Sequence, residues 1–261
     1  MRKTSFFTLL VGLLLFAACQ NQSKKFNPAD SNILKQRYWI NQEFADALFA
    51  DNVPDTLGYL VCSELMLLDS GRLILTYCLS DAGAGAYELT GPNTMELTIE
   101  GYENKNFKAA LDEKNGILTL DAPELNDGKP LTFRGYELNV GPDDYDGVIQ
   151  LARKRIAGSY SIEAQEGMVA PTVMVQFEAD GSIKGLGRFD YFEPWPSGIG
   201  GGAILEKKNL MYLSATDSEA ETAVAWQLRG DTLRLWETTN LYPDEMPEYK
   251  IIKLMGVFVK R

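Results

Sequence analysis

From Tyr38 to Lys260 the chain is cut into short runs of alternating apolar and polar residues, separated at near-regular intervals by Gly, Asn and Asp. A period of two with turn residues between the runs is the pattern of antiparallel strands joined by tight connections, and it leaves little room for long helices. Strands are expected near 38–42, 58–68, 72–79, 85–90, 94–99, 106–111, 116–121 and 129–139. A second set is expected near 158–164, 172–179, 182–190, 200–206, 210–215, 222–229, 231–238 and 248–260. The two sets are equal in number and echo each other in detail. Leu67-Leu68-Asp69-Ser70-Gly71-Arg72-Leu73 and Phe177-Glu178-Ala179-Asp180-Gly181-Ser182-Ile183 are both an apolar strand, a Gly turn and an apolar return. Asn115-Gly116-Ile117-Leu118-Thr119-Leu120 and Gly230-Asp231-Thr232-Leu233-Arg234-Leu235 repeat in the same way, so the chain reads as two copies of one β unit.

Each copy is led by a short helical pattern. Asp30-Ser31 can cap a turn carrying Ile33 and Leu34, and Asp146 can cap Val148, Leu151 and Ala152, with Arg153, Lys154 and Arg155 in the last turn. The expected fold class is therefore all-β: two tandem eight-stranded antiparallel barrels, each led by a short helix. Closure into a barrel removes the edge strands that a secreted sheet would otherwise expose. The domains are read as 30–140 and 155–261, joined by a linker with a short helix at 141–154.

Ahead of them, Arg2 and Lys3 precede a mostly apolar run from Phe6 to Ala18, too short to span a bilayer. Phe16-Ala17-Ala18-Cys19 resembles the lipobox of bacterial lipoproteins, with Phe16 where an aliphatic residue is usual. The resemblance implies removal of residues 1–18, lipidation of Cys19 with palmitate-type acyl chains, and a polar tether at 19–29. Lys24 and Lys25 stand where surface-exported lipoproteins carry acids, which favours an outer-membrane protein facing the periplasm.

Composition narrows the chemistry. The chain has 25 basic and 36 acidic residues, a net charge of −11 that becomes −13 without Arg2 and Lys3. With no basic stripe, nucleic acid is excluded as a partner. There is no histidine, which removes Ser-His-Asp and Cys-His catalysis and HExxH zinc sites. Asp143-Asp144-Tyr145-Asp146-Gly147 lacks calcium-loop spacing, and Gly200-Gly201-Gly202 is followed by no Lys-Ser/Thr, so no cofactor or metal is expected and no catalytic residue is assigned.

Tyr38-Trp39 and Gly158-Ser159-Tyr160 are partial copies of the Gly-x-Trp that opens the first strand of lipocalins, and the chain resembles a lipocalin-like lipoprotein over most of 37–260. Gly185-Leu186-Gly187 after a strand suggests a META-type lipoprotein domain as a second candidate. The lipocalin resemblance implies a small apolar or amphipathic ligand inside a barrel, and a cationic Arg134 beside the ring of Trp39. Candidate ligand-binding residues are Tyr191, Phe192 and Trp195, in an aromatic stretch read as a lid over a barrel mouth, with Trp236 meeting them from the other side.

Three function classes stay open: a lipid-anchored ligand binder, an envelope protein-interaction or inhibitor module with filled barrels, and a polysaccharide hydrolase. Cys62 and Cys78 are the remaining cysteines. A three-residue Asp69-Ser70-Gly71 turn pairs Leu68 with Arg72, and counting back sets Cys62 opposite Cys78, within reach of a disulfide.

Overall fold

The computed structural model of the chain describes residues 26–50, 62–77, 81–102, 105–138, 147–164, 174–195, 203–216, 220–242 and 247–261. The stretch read as a signal peptide, Cys19, Cys78 and residues 139–146 lie outside them. Strands β1 (Tyr38–Asn41), β2 (Glu64–Leu67), β3 (Arg72–Tyr77), β4 (Asp81–Gly91), β5 (Thr94–Ile99), β6 (Phe107–Asp112), β7 (Ile117–Asp121) and β8 (Leu131–Tyr136) pair in chain order. β8 returns to β1, with Ile40 opposite Arg134, and closes the first barrel.

The second half is built from β9 (Gly158–Ala164), β10 (Met174–Phe177), β11 (Ser182–Leu186), β12 (Phe189–Trp195), β13 (Ala203–Ile204), β14 (Asn209–Ser214), β15 (Thr222–Arg229), β16 (Thr232–Asn240) and β17 (Glu248–Lys260). All but β13 pair antiparallel in chain order, and β17 closes on β9 through Phe258↔Ile162 and Lys260↔Tyr160. The all-β class and the two eight-stranded barrels with one strand order are thus observed.

The count of eight in the second half has a different origin from the one expected. The run expected as one strand at 182–190 is two strands, β11 and β12, folded back at Gly187, whose φ of 57° suits a residue without a Cβ. The run expected at 200–206 supplies only β13, which adds parallel to the first residues of β17 outside the barrel. β17 is long enough to serve both: its C-terminal half meets β9 and its N-terminal half meets β13.

The β2–β3 hairpin has the expected register, Glu64↔Thr76 through Leu67↔Leu73, with Leu68 N–H donating to Arg72 O at 2.8 Å across the turn. Leu65, Leu67, Leu73 and Leu75 all face the first core and are at most 1% exposed. Cys62 is buried, its thiol 3.5 Å from Glu64 O. No disulfide is present among the described residues, and the expected partner Cys78 is not one of them.

Among the described residues, two α-helices accompany the strands. α1 (Gln42–Leu48) follows β1 without a break, capped by Asn41, whose side chain accepts from Glu43 N–H at 3.0 Å. It was not expected, and it lies inside the first domain's strand order. α2 (Gly147–Ile156) is the expected helix ahead of the second barrel. The expected helix ahead of the first is two short 3-10 turns, Pro28–Asp30 and Ile33–Lys35.

Candidate functional site

Side chains occupy the interior of each barrel. In the first, Trp39, Met95, Leu97, Phe107, Leu118 and Phe133 are at most 3% exposed and belong to one core. In the second, Phe177 stands edge-on to Tyr160, Phe192 and Phe258, with ring centroids 5.6, 5.2 and 6.2 Å away, and all four rings are buried. Such edge-to-face packing is a favourable way of filling a lumen with rings. The cleft described below lies outside the barrels.

The aromatic stretch expected to be a lid is β12, a wall strand, so its side chains alternate between faces. Phe192 points into the core and is 1% exposed, whereas Tyr191 is 48% exposed. Trp195 and Trp236 do come together, on the outer face. Trp195 pairs with Leu210, Leu210 with Ala225 and Ala225 with Trp236, one row across β12, β14, β15 and β16. Both indoles pack on a small apolar cluster of Ile204, Leu210, Ala225 and Tyr249. The strand β13 covers this cluster from outside. Arg134 is likewise turned outward: it pairs with Ile40, one position off the Trp39↔Gly135 pair, and is exposed, so the cationic contact expected with Trp39 does not form.

The barrels meet at a buried seam. Phe44, Ala45, Ala47 and Leu48 of α1 join the second barrel's core cluster, together with Val148, Ala152 and Ile156 of α2. Asn209, 2% exposed at the start of β14, donates from Nδ2 to Leu48 O at 2.7 Å. On the other side of the seam Glu64, 1% exposed, accepts from Val148 N–H at 2.6 Å through Oε1 and from the Tyr38 hydroxyl through Oε2. A carboxyl from the first barrel thus satisfies an end-of-helix amide of α2, the end of the helix dipole that favours it. Gly147 permits the approach, because a Cβ there would lie 2.1 Å from the Tyr38 ring.

Beside this seam is a cleft of about 710 Å³. Its floor is the outer face of β8, β1 and β2, where Tyr136, Tyr38 and Met66 form one cross-strand row. Leu34, Leu68 and Leu138 continue it at the rim, and Lys154 of α2 forms the opposite wall. Lys154 donates from Nζ to Glu137 O at 2.6 Å. Arg37 and Asp69 are an ion pair at 2.6 Å, whose hydrogen bond holds the Asp69 carboxyl below the usual range and pushes the Arg37 guanidinium up. Lys35 and Lys154 have no ion-pair partner among the described residues. Behind the cleft, the Tyr87 hydroxyl donates to Leu68 O at 2.7 Å, and burial raises its pKa.

The volume suits a small ligand, and the lining is an apolar floor under a cationic rim. A carboxylic general acid needs a raised pKa. Asp69, Glu124, Asp180 and Asp190 are all shifted the other way, by the hydrogen bonds they accept. No group of three His, Cys, Asp or Glu able to hold a metal occurs among the described residues. Among them, too, no helix is long and apolar enough to cross a membrane.

Sequence reasoning missed the cleft because its lining comes from four separate stretches. The nearest signal was the unbroken apolar character of Tyr38-Trp39-Ile40, which implies cover on both faces of β1. Comparison with protein-family models, with curated proteins and with solved structures finds no match.

Proposed function

We propose that this chain is a bacterial envelope lipoprotein, held by lipid on Cys19 at the outer membrane and facing the periplasm, that binds a small amphipathic ligand without transforming it. The binding surface in this reading is the cleft between the outer face of the first barrel and α2. The observation that carries it is a contrast: both lumens are packed with side chains, while the cleft of about 710 Å³ is open and lined for a mixed apolar and polar ligand. The lipoprotein part is supported by the Phe16-Ala17-Ala18-Cys19 sequence and its preceding apolar run.

Two measurements test it. Cys19→Ala should move the exported protein from the membrane to the soluble fraction; retention of the processed variant on the membrane would refute the anchor. Native mass spectrometry of the protein extracted from its own membrane should find a bound small mass, which Leu68→Asp removes.

A second reading, a protein-interaction module, is favoured by one feature. The second barrel leaves Tyr191, Leu205 and Tyr242 exposed at 48%, 46% and 49%, an unusual display of large apolar side chains. A protein partner in the mass spectrum, and no small molecule, would select it.

A further inference from the structure

The charge of the chain is unevenly distributed around the cleft. The protein is strongly acidic, at −11 overall. Yet the cleft is rimmed by Lys35, Arg37 and Lys154 against Asp69 and Glu137. Arg37 and Asp69 neutralise each other at 2.6 Å. Lys154 is fixed by a backbone carbonyl, which orients its ammonium without cancelling its charge. Lys35 and Lys154 form no ion pair among the described residues, so even with Glu137 counted the lining keeps an excess of one positive charge beside the apolar side chains of Met66, Leu68 and Leu138. A hydrocarbon chain would cover the floor, and an anion at one end of it would meet the two ammonium groups. A neutral amphiphile would satisfy only half of this lining, and a compact anion only the other half.

The position of the cleft in the chain adds an independent argument. Leu34 and Lys35, on its rim, belong to the short 3-10 turns that follow the sequence read as the tether. Eight residues lie between Cys19 and Pro28, where those turns begin, and nine steps at about 3.3–3.6 Å each span at most about 30 Å. A lipidated Cys19 therefore keeps this cleft close to the bilayer surface, where single-chain amphiphiles are concentrated.

We infer that the cleft between the first barrel's outer face and α2 takes an acyl chain bearing an anionic head group, carboxylate or phosphate, drawn from the membrane to which the protein is tethered. This rests on the cleft being the binding surface and adds the chemistry of what occupies it. Lys35 and Lys154 select the head group, and Met66, Leu68 and Leu138 bind the chain.

The test uses the exported full chain carrying Cys19→Ala, with dodecyl phosphate, dodecanoate and dodecyl maltoside as probes below their micellar concentrations, followed by calorimetry. Saturable binding of one or both anionic probes, at least tenfold tighter than dodecyl maltoside and weakened by added salt, is expected. The stronger of the two anionic probes tells a phosphate source from a carboxylate source. Lys35→Glu with Lys154→Glu, both exposed positions, should weaken anionic binding at least tenfold and leave dodecyl maltoside unchanged. Leu68→Asp should abolish binding of all three.

Equal affinity for the three probes, or anionic binding that survives the double Lys→Glu variant, overturns the inference. If no probe binds but the native protein still carries a mass that Leu68→Asp removes, the head-group assignment fails and the cleft reading stands. If no probe binds and no such mass exists, both fail.

Discussion

The two barrels share one strand order but are closed in different ways, and the difference shows which depends on the other. The first barrel fills its own end with local pieces: Ile33 from the turn Ile33–Lys35 and Leu125 from the turn Pro123–Leu125 enter its core, at 0% and 1% exposure. The second is closed by its own helix α2 and by α1, which belongs to the first. The first barrel shows the cost of this in its wall. β1 and β2 are buried on both faces, while β5 and β6 on its far side keep the alternation of a strand with one face in water. Two copies of one topology have become unequal, one lending structure and the other receiving it.

The strongest way to break that picture is Phe44→Ala on α1. Removing a fully buried ring should cost about 3–5 kcal/mol. The loss should appear as reduced amide protection in β14 and β15 more than in β5 and β6, by hydrogen exchange. A loss confined to the first barrel would mean that α1 is its own element and not a shared one. Next in size is Glu64→Ala, which takes away the acceptor of Val148 N–H and of the Tyr38 hydroxyl and should cost about 1–3 kcal/mol in chemical denaturation. Glu64→Gln, which keeps an acceptor oxygen, should lose less; equal losses would show that the seam does not depend on that hydrogen bond.

The smallest effect is expected at Arg37→Ala. Asp69 has a depressed folded pKa, so its contribution to stability is present above the unfolded value and fades as pH falls through the folded one. Both partners are mostly exposed, at 52% and 82%, so solvent screening should leave the melting temperature almost unchanged. The carboxyl resonance of Asp69 should nonetheless titrate at higher pH in the variant. A titration unmoved by the substitution would mean that Arg37 is not what holds it down.

Strand existence was legible almost throughout, because hairpin barrels write a period of two into each wall strand. The expected runs at 94–99, 158–164, 222–229 and 248–260 coincide with β5, β9, β15 and β17. Legibility failed where a strand is covered on both sides or where a glycine can mark either a bend or a turn. The turn between β11 and β12 is carried by Gly187-Arg188, whose glycine reads equally as a bend within one strand, so the start of β12 falls in the run at 182–190 and the rest of it reads as a lid. α1 had signals that went unused: an Asn cap at Asn41, Glu43 in the first turn, and apolar residues at 44, 45, 47 and 48. The cleft was illegible in principle, since Leu34, Met66, Leu138 and Lys154 are brought together only by barrel closure and by α2 docking on the seam.

The hydrogen bond between Asn209 and Leu48 joins residues 161 positions apart. At about 5–20 residues per second, roughly 8–30 s of synthesis separate the appearance of α1 from that of its partner. Throughout that interval Phe44 and Leu48 have no second barrel to enter. A chain cut at the linker would leave them in that state permanently, so the first barrel made alone should be the aggregation-prone half.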